Sequence, residues 1–360
     1  MDVGSQAMEK IQALKLFFLM NRIELRSDAL FLVCFLFLTA CSSRQVMEAE
    51  SKRFDDINEE FSQVVTIAEE APQPTTSQEK KKTPKKILYK KNNSKTLDLK
   101  TSKNDYTKDE TQTREPRIED NKGFLGRRPT VDPFREGERA TYSLTYFNTE
   151  AGTLNLEILP FRYVNDKKAY HYSLGLRSSA RFSMFFNIDL LTETYVDFEN
   201  LVPLTYSSQT KESSKQKEVK IFWDINKNLA TQWEKVVKKN GSEKKKKIEW
   251  EIEPFSQNIL SSLFYLRVFQ LTPGKTYSFR VADSGKNYVF KAEVLRKEKL
   301  DTAIGKLDTI LIRPSFELEG KLKPTGENLL WVTDDQYKRI VRIDLKIKVG
   351  SLVAKVKSFD

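Results

Sequence analysis

The sequence is poor in the residues on which many enzyme sites depend. Its 360 residues include one His and two Cys. A single His excludes zinc sites built from several His, and two Cys permit at most one disulfide. Motifs for nucleophile elbows, P-loops, dinucleotide binding and zinc proteases are also missing. The sequence therefore predicts a protein that is not an enzyme, with no catalytic residues, no metal site and no cofactor.

Long hydrophobic runs are scarce, and the clearest one lies near the N-terminus. Residues 29–40 form an apolar run of 12, too short for a bilayer, which needs about 20. This length is typical of a signal-peptide core, and Arg22 and Arg26 supply the basic region before it. Residues 1–40 are therefore predicted to be a signal peptide, and a start at Met20 would give it a more usual length.

The run ends in Leu38-Thr39-Ala40-Cys41, which resembles the lipobox of bacterial lipoproteins. The resemblance implies cleavage before Cys41, lipidation of its thiol with palmitate among the acyl chains, and firm membrane anchoring. Ser42, where Asp would signal retention, favours the periplasmic face of the outer membrane. The alternative is a stray Cys at the end of a buried apolar helix.

The net charge of +11 suggests nucleic acid, but a periplasmic lipoprotein meets no genome, so no nucleic-acid partner is expected.

Residues 41–128 are predicted to be the lipidated Cys and a flexible, disordered, charged tether. This stretch has few aromatic residues, is acidic at first and is basic at 80–91. Apolar residues at helical spacing nevertheless occur at Phe54, Ile57, Phe61, Val64 and Val65. They indicate an amphipathic helix within 48–69. We favour a transient helix in the arm over a helix that docks on a membrane or partner.

Residues 129–360 are predicted to be mainly β. Apolar and polar residues alternate through Tyr142–Tyr146, Tyr170–Leu176 and Val341–Ile347, which is typical of antiparallel strands with one wet face. About a dozen such strands would have to curl into a barrel-like sheet or a sandwich. The exception is 254–269, which has helical spacing and Ser256 as its expected N-cap. This single helix is predicted to pack against the curled sheet.

Four stretches of this β-rich region resemble the domain-of-unknown-function family 3108. They are Phe134–Glu138 with Tyr142, Tyr146 and Ala151-Gly152; Asp189, Thr194 and Asp197 with Leu201-Val202-Pro203; Ser261–Arg267; and Trp331–Asp335 with Lys338. The resemblance spans about 130–360, and the Lys-rich segment 235–247 departs from it. It implies a curled antiparallel sheet and transfers no catalytic residue.

Several segments are candidates for function. The apolar residues Phe182, Met184, Phe185 and Phe186 are either the lip of a cup for an acyl chain or buried core. His171 alternates with apolar neighbours and is expected on the wetter face of its strand. Asp334-Asp335 is a turn signal, with metal binding or acid/base work as the alternative.

A Lys-rich hairpin is predicted around Asn240-Gly241, between strands 229–238 and 244–251. Lys244, Lys245, Lys246 and Lys247 form a candidate contact for anionic polymers or lipid. The alternative is protection of an exposed sheet edge. Trp233 and Trp250 flank the cluster and are expected to face one another across the hairpin.

Three functions remain open from the sequence. The first is non-enzymatic binding of a lipid-like or polymeric envelope component. The second is a scaffold that contacts peptidoglycan, anionic lipid or an envelope protein through the basic segments. The third is an unrecognised hydrolase that uses carboxylates. An empty cavity within the sheet would favour the first, and a filled core with a basic face would favour the second.

Overall fold

The computed structural model describes residues 54–71, 129, 131–184, 187–318, 328–346 and 350–360, and the backbone of 321–323. Its helices are α1 (Asp55–Ser62), α2 (Ala180–Ser183) and α3 (Ile259–Tyr265), which continues into a 3₁₀ turn, Leu266–Val268. The strands, in chain order, are β1 (Ile67–Ala68), β2 (Arg139–Tyr146), β3 (Thr149–Val164), β4 (Lys167–Ser178), β5 (Ile188–Asp197), β6 (Pro203–Glu212), β7 (Lys215–Asp224), β8 (Leu229–Lys238), β9 (Glu243–Glu251), β10 (Thr276–Asp283), β11 (Lys286–Thr302), β12 (Gly305–Leu318), β13 (Lys321–Lys323), β14 (Leu329–Thr333), β15 (Ile340–Lys346) and β16 (Ser351–Phe359).

The strands form one large antiparallel sheet, which confirms the predicted mainly β fold. Its order is β10-β11-β12-β14-β15-β16-β2-β3-β4-β5-β6-β7-β8-β9, with β1 beside β3 and β13 beside β12. The sheet is not closed by strand pairing between β9 and β10. Instead Gln257, in the segment after β9, forms a parallel bridge to Val281 of β10. The alternating apolar side chains of the strands point to one face, which forms the core.

Helix α3 fills the concave side of the sheet. Every one of its residues is buried, and the ring of Phe264 stacks on Tyr172 with centroids 4.0 Å apart. The prediction of a packed helix is confirmed, but its predicted N-cap is wrong. Asn258, not Ser256, accepts the capping hydrogen bond, from the backbone N–H of Ser261 at 2.8 Å. Ser256 instead donates to the Glu253 carbonyl at 2.6 Å.

The chain order places the C-terminal strand inside the sheet. β16 pairs with β15 on one side and with β2 on the other, with Val356 opposite Tyr142. The backbones of Arg139 and Asp360 exchange hydrogen bonds of 2.9 and 3.2 Å. Strands separated by more than 200 residues in the sequence are therefore direct neighbours.

Part of the predicted tether is folded against the sheet. Helix α1 buries Phe54, Ile57 and Phe61 against Trp233 and other apolar side chains on the convex face. The segment after it pairs as β1 with the end of β3. For residues 54–71 the expectation of a free arm is wrong, because the sheet supplies an apolar partner for the helix. The rest of 41–128, like residues 1–40 and Cys41, lies outside the described residues.

The two ends of the sheet differ, and we name them by their residues. The end with the turns β2–β3, β4–β5, β6–β7 and β8–β9 is called the rim. The opposite end, called the base, is crossed by residues 131–138, whose Phe134 packs on Tyr170 and Tyr172. None of the described helices is long and apolar enough to cross a membrane.

Candidate binding surfaces

The β2–β3 turn places an aromatic side chain in solvent at the rim. Phe147 and Asn148 have φ of 47° and 60°, the left-handed conformation of a type I′ turn. Such turns favour Asn and Gly, and a bulky residue there is strained. Phe147 is nevertheless 62% exposed.

Neighbouring residues hold the Phe147 ring in place. It lies 4.6 Å from the ring of Tyr146 and covers Gly350, where an added Cβ would come within 2.6 Å of the Phe147 ring. Gly350 also has a φ of 79°, so this close approach depends on glycine.

The predicted apolar lip lies next to this turn. Ser179 caps α2 by accepting a hydrogen bond from the Phe182 backbone N–H at 3.3 Å. Phe182 is half-buried with its ring 6.2 Å from that of Tyr146, whereas Met184 is 76% exposed. The structure thus brings Phe182 and Met184 to the Phe147 turn. Phe185 and Phe186 lie outside the described residues.

The rim continues from the apolar turns to basic ones. The Asn187 backbone N–H donates to Ser213 of the β6–β7 turn at 3.1 Å, and the Lys239 N–H donates to the Ser214 carbonyl at 2.9 Å. These bonds join successive turns into one continuous surface. Exposed cations follow it at Arg181, Lys238, Lys239 and Lys244.

The predicted Lys-rich hairpin is present, as β8 and β9. Its turn has Gly241 at a φ of 83°. The predicted Trp pair is wrong, because Trp233 lies opposite Lys247 and Trp250 lies opposite Ala230. Ala230, the partner of Trp250, is three positions from Trp233 along β8. Side chains an odd number of positions apart on a strand point to opposite faces, so the two indoles lie on opposite faces of the hairpin.

The same alternation divides the four candidate lysines. Lys245 and Lys247 share the convex face with Trp233 and reach α1. Lys245 pairs with Asp56, and Lys247 Nζ lies 3.2 Å from Glu60 Oε2. Lys244 and Lys246 point to the other face and are exposed. A single contact site made by all four is therefore not what the structure shows.

The acidic side of α1 and the basic convex face are complementary. Lys235 Nζ lies 3.3 Å from Asp56, and Glu60 accepts a 2.8 Å hydrogen bond from the Trp233 indole N–H. This hydrogen bond lowers the pKa of Glu60 below its ordinary 4.5, and the hydrogen bond from Lys247 lowers it further. The ionised Glu60 therefore stabilises the docked helix above about pH 4.5. This stabilisation is lost as the pH falls through the lowered pKa.

The residues considered for catalysis have other roles. His171 was expected at the surface but is only 6% exposed, because it stacks on Tyr195 and contacts Glu193 at 2.8 Å. Asp335 accepts backbone hydrogen bonds from two residues of its own turn, and Asp334 pairs with Lys297 at 2.8 Å. Among the described residues no group of His, Cys, Asp and Glu could hold a metal ion.

The base is held by a buried ion pair. Arg267 is 3% exposed and binds both carboxylate oxygens of Glu138, at 2.7 and 2.8 Å. It also donates to the carbonyls of Pro133 and Tyr337. Beside it a cavity with space for about one water molecule is lined by Tyr142 and Phe264. This part of the concave side is filled by side chains and has no room for an acyl chain.

Sequence reasoning missed three of these features. The charge pattern of α1, with acids facing the later lysines, could have suggested its docking. The Glu138–Arg267 pair joins two of the family stretches, but nothing in their spacing identifies them as partners. Phe147 followed by Asn at a strand break is a turn signal that could have been found.

Comparisons with known proteins add a family and a fold. The profile of the family described as protein of unknown function, DUF3108, matches residues 141–357. No curated protein matches the sequence. Several solved structures are similar to the chain, among them the following three. A β-barrel-like protein of the domain-of-unknown-function family 1849 from Brucella abortus is 10% identical, with a TM-score of 0.38 over 62% of this chain and 97% of that one.

The other two are 7% identical. A candidate lipoprotein from Parabacteroides distasonis has a TM-score of 0.27 over 63% of this chain and 96% of its own. A candidate exported protein with a YmcC-like fold from Bacteroides fragilis has a TM-score of 0.28 over 63% and 97%. Scores this low carry no argument about function.

Proposed function

Because the chain belongs to the domain-of-unknown-function family 3108, whose description assigns no activity, we propose a function from its own geometry. The protein is an envelope lipoprotein, anchored through Cys41 at the periplasmic face of the outer membrane. Its β domain binds an amphiphilic, lipid-like component of the envelope at the rim and catalyses no reaction on it.

The exposed Phe147 carries this proposal. A bulky side chain in the left-handed region costs stability, of the order of 1 kcal/mol, and the contacts with Tyr146 and Gly350 still leave Phe147 62% exposed. Such strain is typical of functional positions. With Met184 exposed in the neighbouring β4–β5 turn, the ring gives the rim an apolar contact for an acyl chain, and the exposed cations of the rim suit a negative headgroup.

Binding of a dansyl-labelled fatty acid tests the proposal. The double variant Phe147→Asn/Met184→Ser is expected to lose most of the binding, because it removes the exposed apolar contact and leaves the turn intact. The matched control is Ile304→Ser, which removes an exposed apolar side chain from the β11–β12 turn at the base. Equal binding by all three proteins would overturn the proposal.

A second candidate, the scaffold, is favoured by two observations. The first is the filled core beside Arg267, which leaves no cavity there for a lipid-like ligand. The second is that Lys244 and Lys246 are exposed on a face that α1 does not cover. If they contact peptidoglycan, Lys244→Ser/Lys246→Ser should reduce co-sedimentation at low salt, and high salt should abolish the difference. Lys299→Ser/Lys306→Ser is the control, because it removes the same charge from two exposed lysines near the β11–β12 turn at the base and leaves the α1 contacts unchanged.

A further inference from the structure

The direction of α1 determines where the chain leaves the folded domain. Asp56 contacts Lys235 and Lys245, which are opposite one another near the β8–β9 turn. Glu60 contacts Trp233 and Lys247, two residues farther from that turn. The helix therefore starts toward the rim and runs toward the base, so residue 54 lies on the rim side.

The docked helix also shortens the connection to the predicted anchor. Only the 12 residues 42–53 separate Cys41 from Phe54, and they reach about 40 Å when fully extended. Without docking, the connection would run to residue 131 and would extend to about 300 Å. A docked α1 thus keeps the rim, and not merely the domain, close to the lipidated residue.

The rim has the chemistry of a membrane-facing surface. The exposed large apolar side chains of the described residues include one aromatic, Phe147, and one methionine, Met184. Both lie at the rim. Exposed cations continue the same end, with Arg181 in the β4–β5 turn and Lys239 in the β8–β9 turn, on either side of the β6–β7 turn. Apolar side chains with neighbouring cations match the interface of an anionic bilayer.

From the exit point of the chain, its length and the charge of the rim, we propose that the rim docks on the anionic phospholipid surface of the membrane that holds Cys41. This rests on the proposed function and names the lipid-like component as the anchoring bilayer itself. Helix α1 acts as a clamp that presents the rim to that surface. Phe147 and Met184 enter the interface, and the cations meet the phosphates.

Hydrogen exchange on a tethered protein tests this inference. The chain from Cys41 onward has one thiol and keeps every described residue. It is coupled through that thiol to a maleimide lipid in vesicles of phosphatidylcholine and phosphatidylglycerol. We expect amides of 143–150 and 180–184 to exchange several-fold more slowly than in the uncoupled protein, with no change at 300–306.

The clamp is tested by reversing its charges. Asp56→Lys/Glu60→Lys sets like charges against Lys245 and Lys247, so the rim protection should be lost although the protein stays coupled. Glu59→Lys, on the exposed side of the same helix, should keep the protection. Thermal unfolding of each variant shows that the sheet is intact.

The outcomes separate this inference from the proposed function. If coupling to vesicles does not protect the rim of the wild type, membrane docking is overturned, whereas fatty-acid binding that depends on Phe147 would leave the proposed function standing. If the reversed variant keeps its protection, the clamp is overturned. If the wild type binds no fatty acid but its rim is protected, the partner is the bilayer surface and not a single amphiphile.

Discussion

At the scale of single residues, Phe147 shows a conflict between stability and exposure. Asn tolerates positive φ better than Phe, so Phe147→Asn is expected to raise the free energy of unfolding by about 1 kcal/mol. The same change should weaken fatty-acid binding. Urea denaturation and a binding titration measure the two effects. A variant that is both less stable and unimpaired in binding would show that the ring serves packing alone.

Arg267 is predicted to be essential for stability. Its removal in Arg267→Met leaves the carboxylate of Glu138, which is only 10% exposed, without its partner, and such a loss typically costs about 3–5 kcal/mol. Arg139→Met is the control, since Arg139 pairs with Glu157 at 2.9 Å on the exposed surface and such pairs contribute about 0–1 kcal/mol. Similar urea midpoints for the two variants would contradict the buried role.

Asp283 gives a pH-dependent prediction. Burial raises its pKa to about 6 from an ordinary 3.8, although hydrogen bonding by Ser284 and the charge of Lys217 oppose this. A raised acid pKa means that the fold favours the protonated form, so stability is lost as the pH rises through about 6.

Asp283→Asn should therefore be more stable than the wild type at neutral pH, by on the order of 2 kcal/mol. The difference should shrink toward zero below about pH 3, where both states of the wild type are largely protonated. Unfolding midpoints across this range provide the measurement. A difference that does not vary with pH would have to come from packing.

At the scale of elements, α1 is predicted to stay bound after the chain is cut. Proteolysis within the polar stretch 72–128 should leave a fragment with residues 54–71 that co-elutes with 129–360. Phe61→Ala should release it, because loss of the ring that packs on Trp233 costs about 3 kcal/mol. Val64→Ala is the matched control, as Val64 is exposed. Separation of the wild-type fragments would contradict docking.

The strands could be predicted because their signal is local. Alternation in Tyr142–Tyr146 or Tyr170–Leu176 depends only on which face is buried, and Asn240-Gly241 identifies its own turn. The helix at 259–265 was evident for the same reason. Its N-cap was not, because Ser256 and Asn258 are both good caps and the choice depends on the Ser261 side chain, which completes the capping box at Asn258.

Features that depend on distant contacts could not be predicted in this way. Whether the helix at 55–62 is transient or docked depends on Trp233 and Val237, more than 170 residues away. The faces to which Trp233 and Trp250 point depend on the pairing register of the hairpin. A shift of one residue in one strand would move its side chain to the other face. Of the candidate site, Phe182 and Met184 were identified, but Phe147 joined them only through the pairing of β2 with β3.

At the scale of the whole molecule, the anchor is the simplest prediction. Cys41→Ala should remove the lipidated thiol and release the protein from membranes. Metabolic labelling with palmitate and fractionation measure both effects, and Cys34→Ala, within the predicted signal peptide, is the control. Membrane association that persists without label would mean that the lipobox interpretation is wrong.

The position of β16 bears on how the protein matures. The strand lies between β15 and β2, so the sheet cannot be completed until residues 351–359 have been synthesised. Pairings over such a sequence distance form slowly, because a long loop must close first. A chain exported as proposed must cross the inner membrane before it folds. This order of strands delays folding, because the central pairing of β2 with β16 needs the last strand. Truncation before residue 351 would leave β2 and β15 as two exposed edges, a form prone to aggregation.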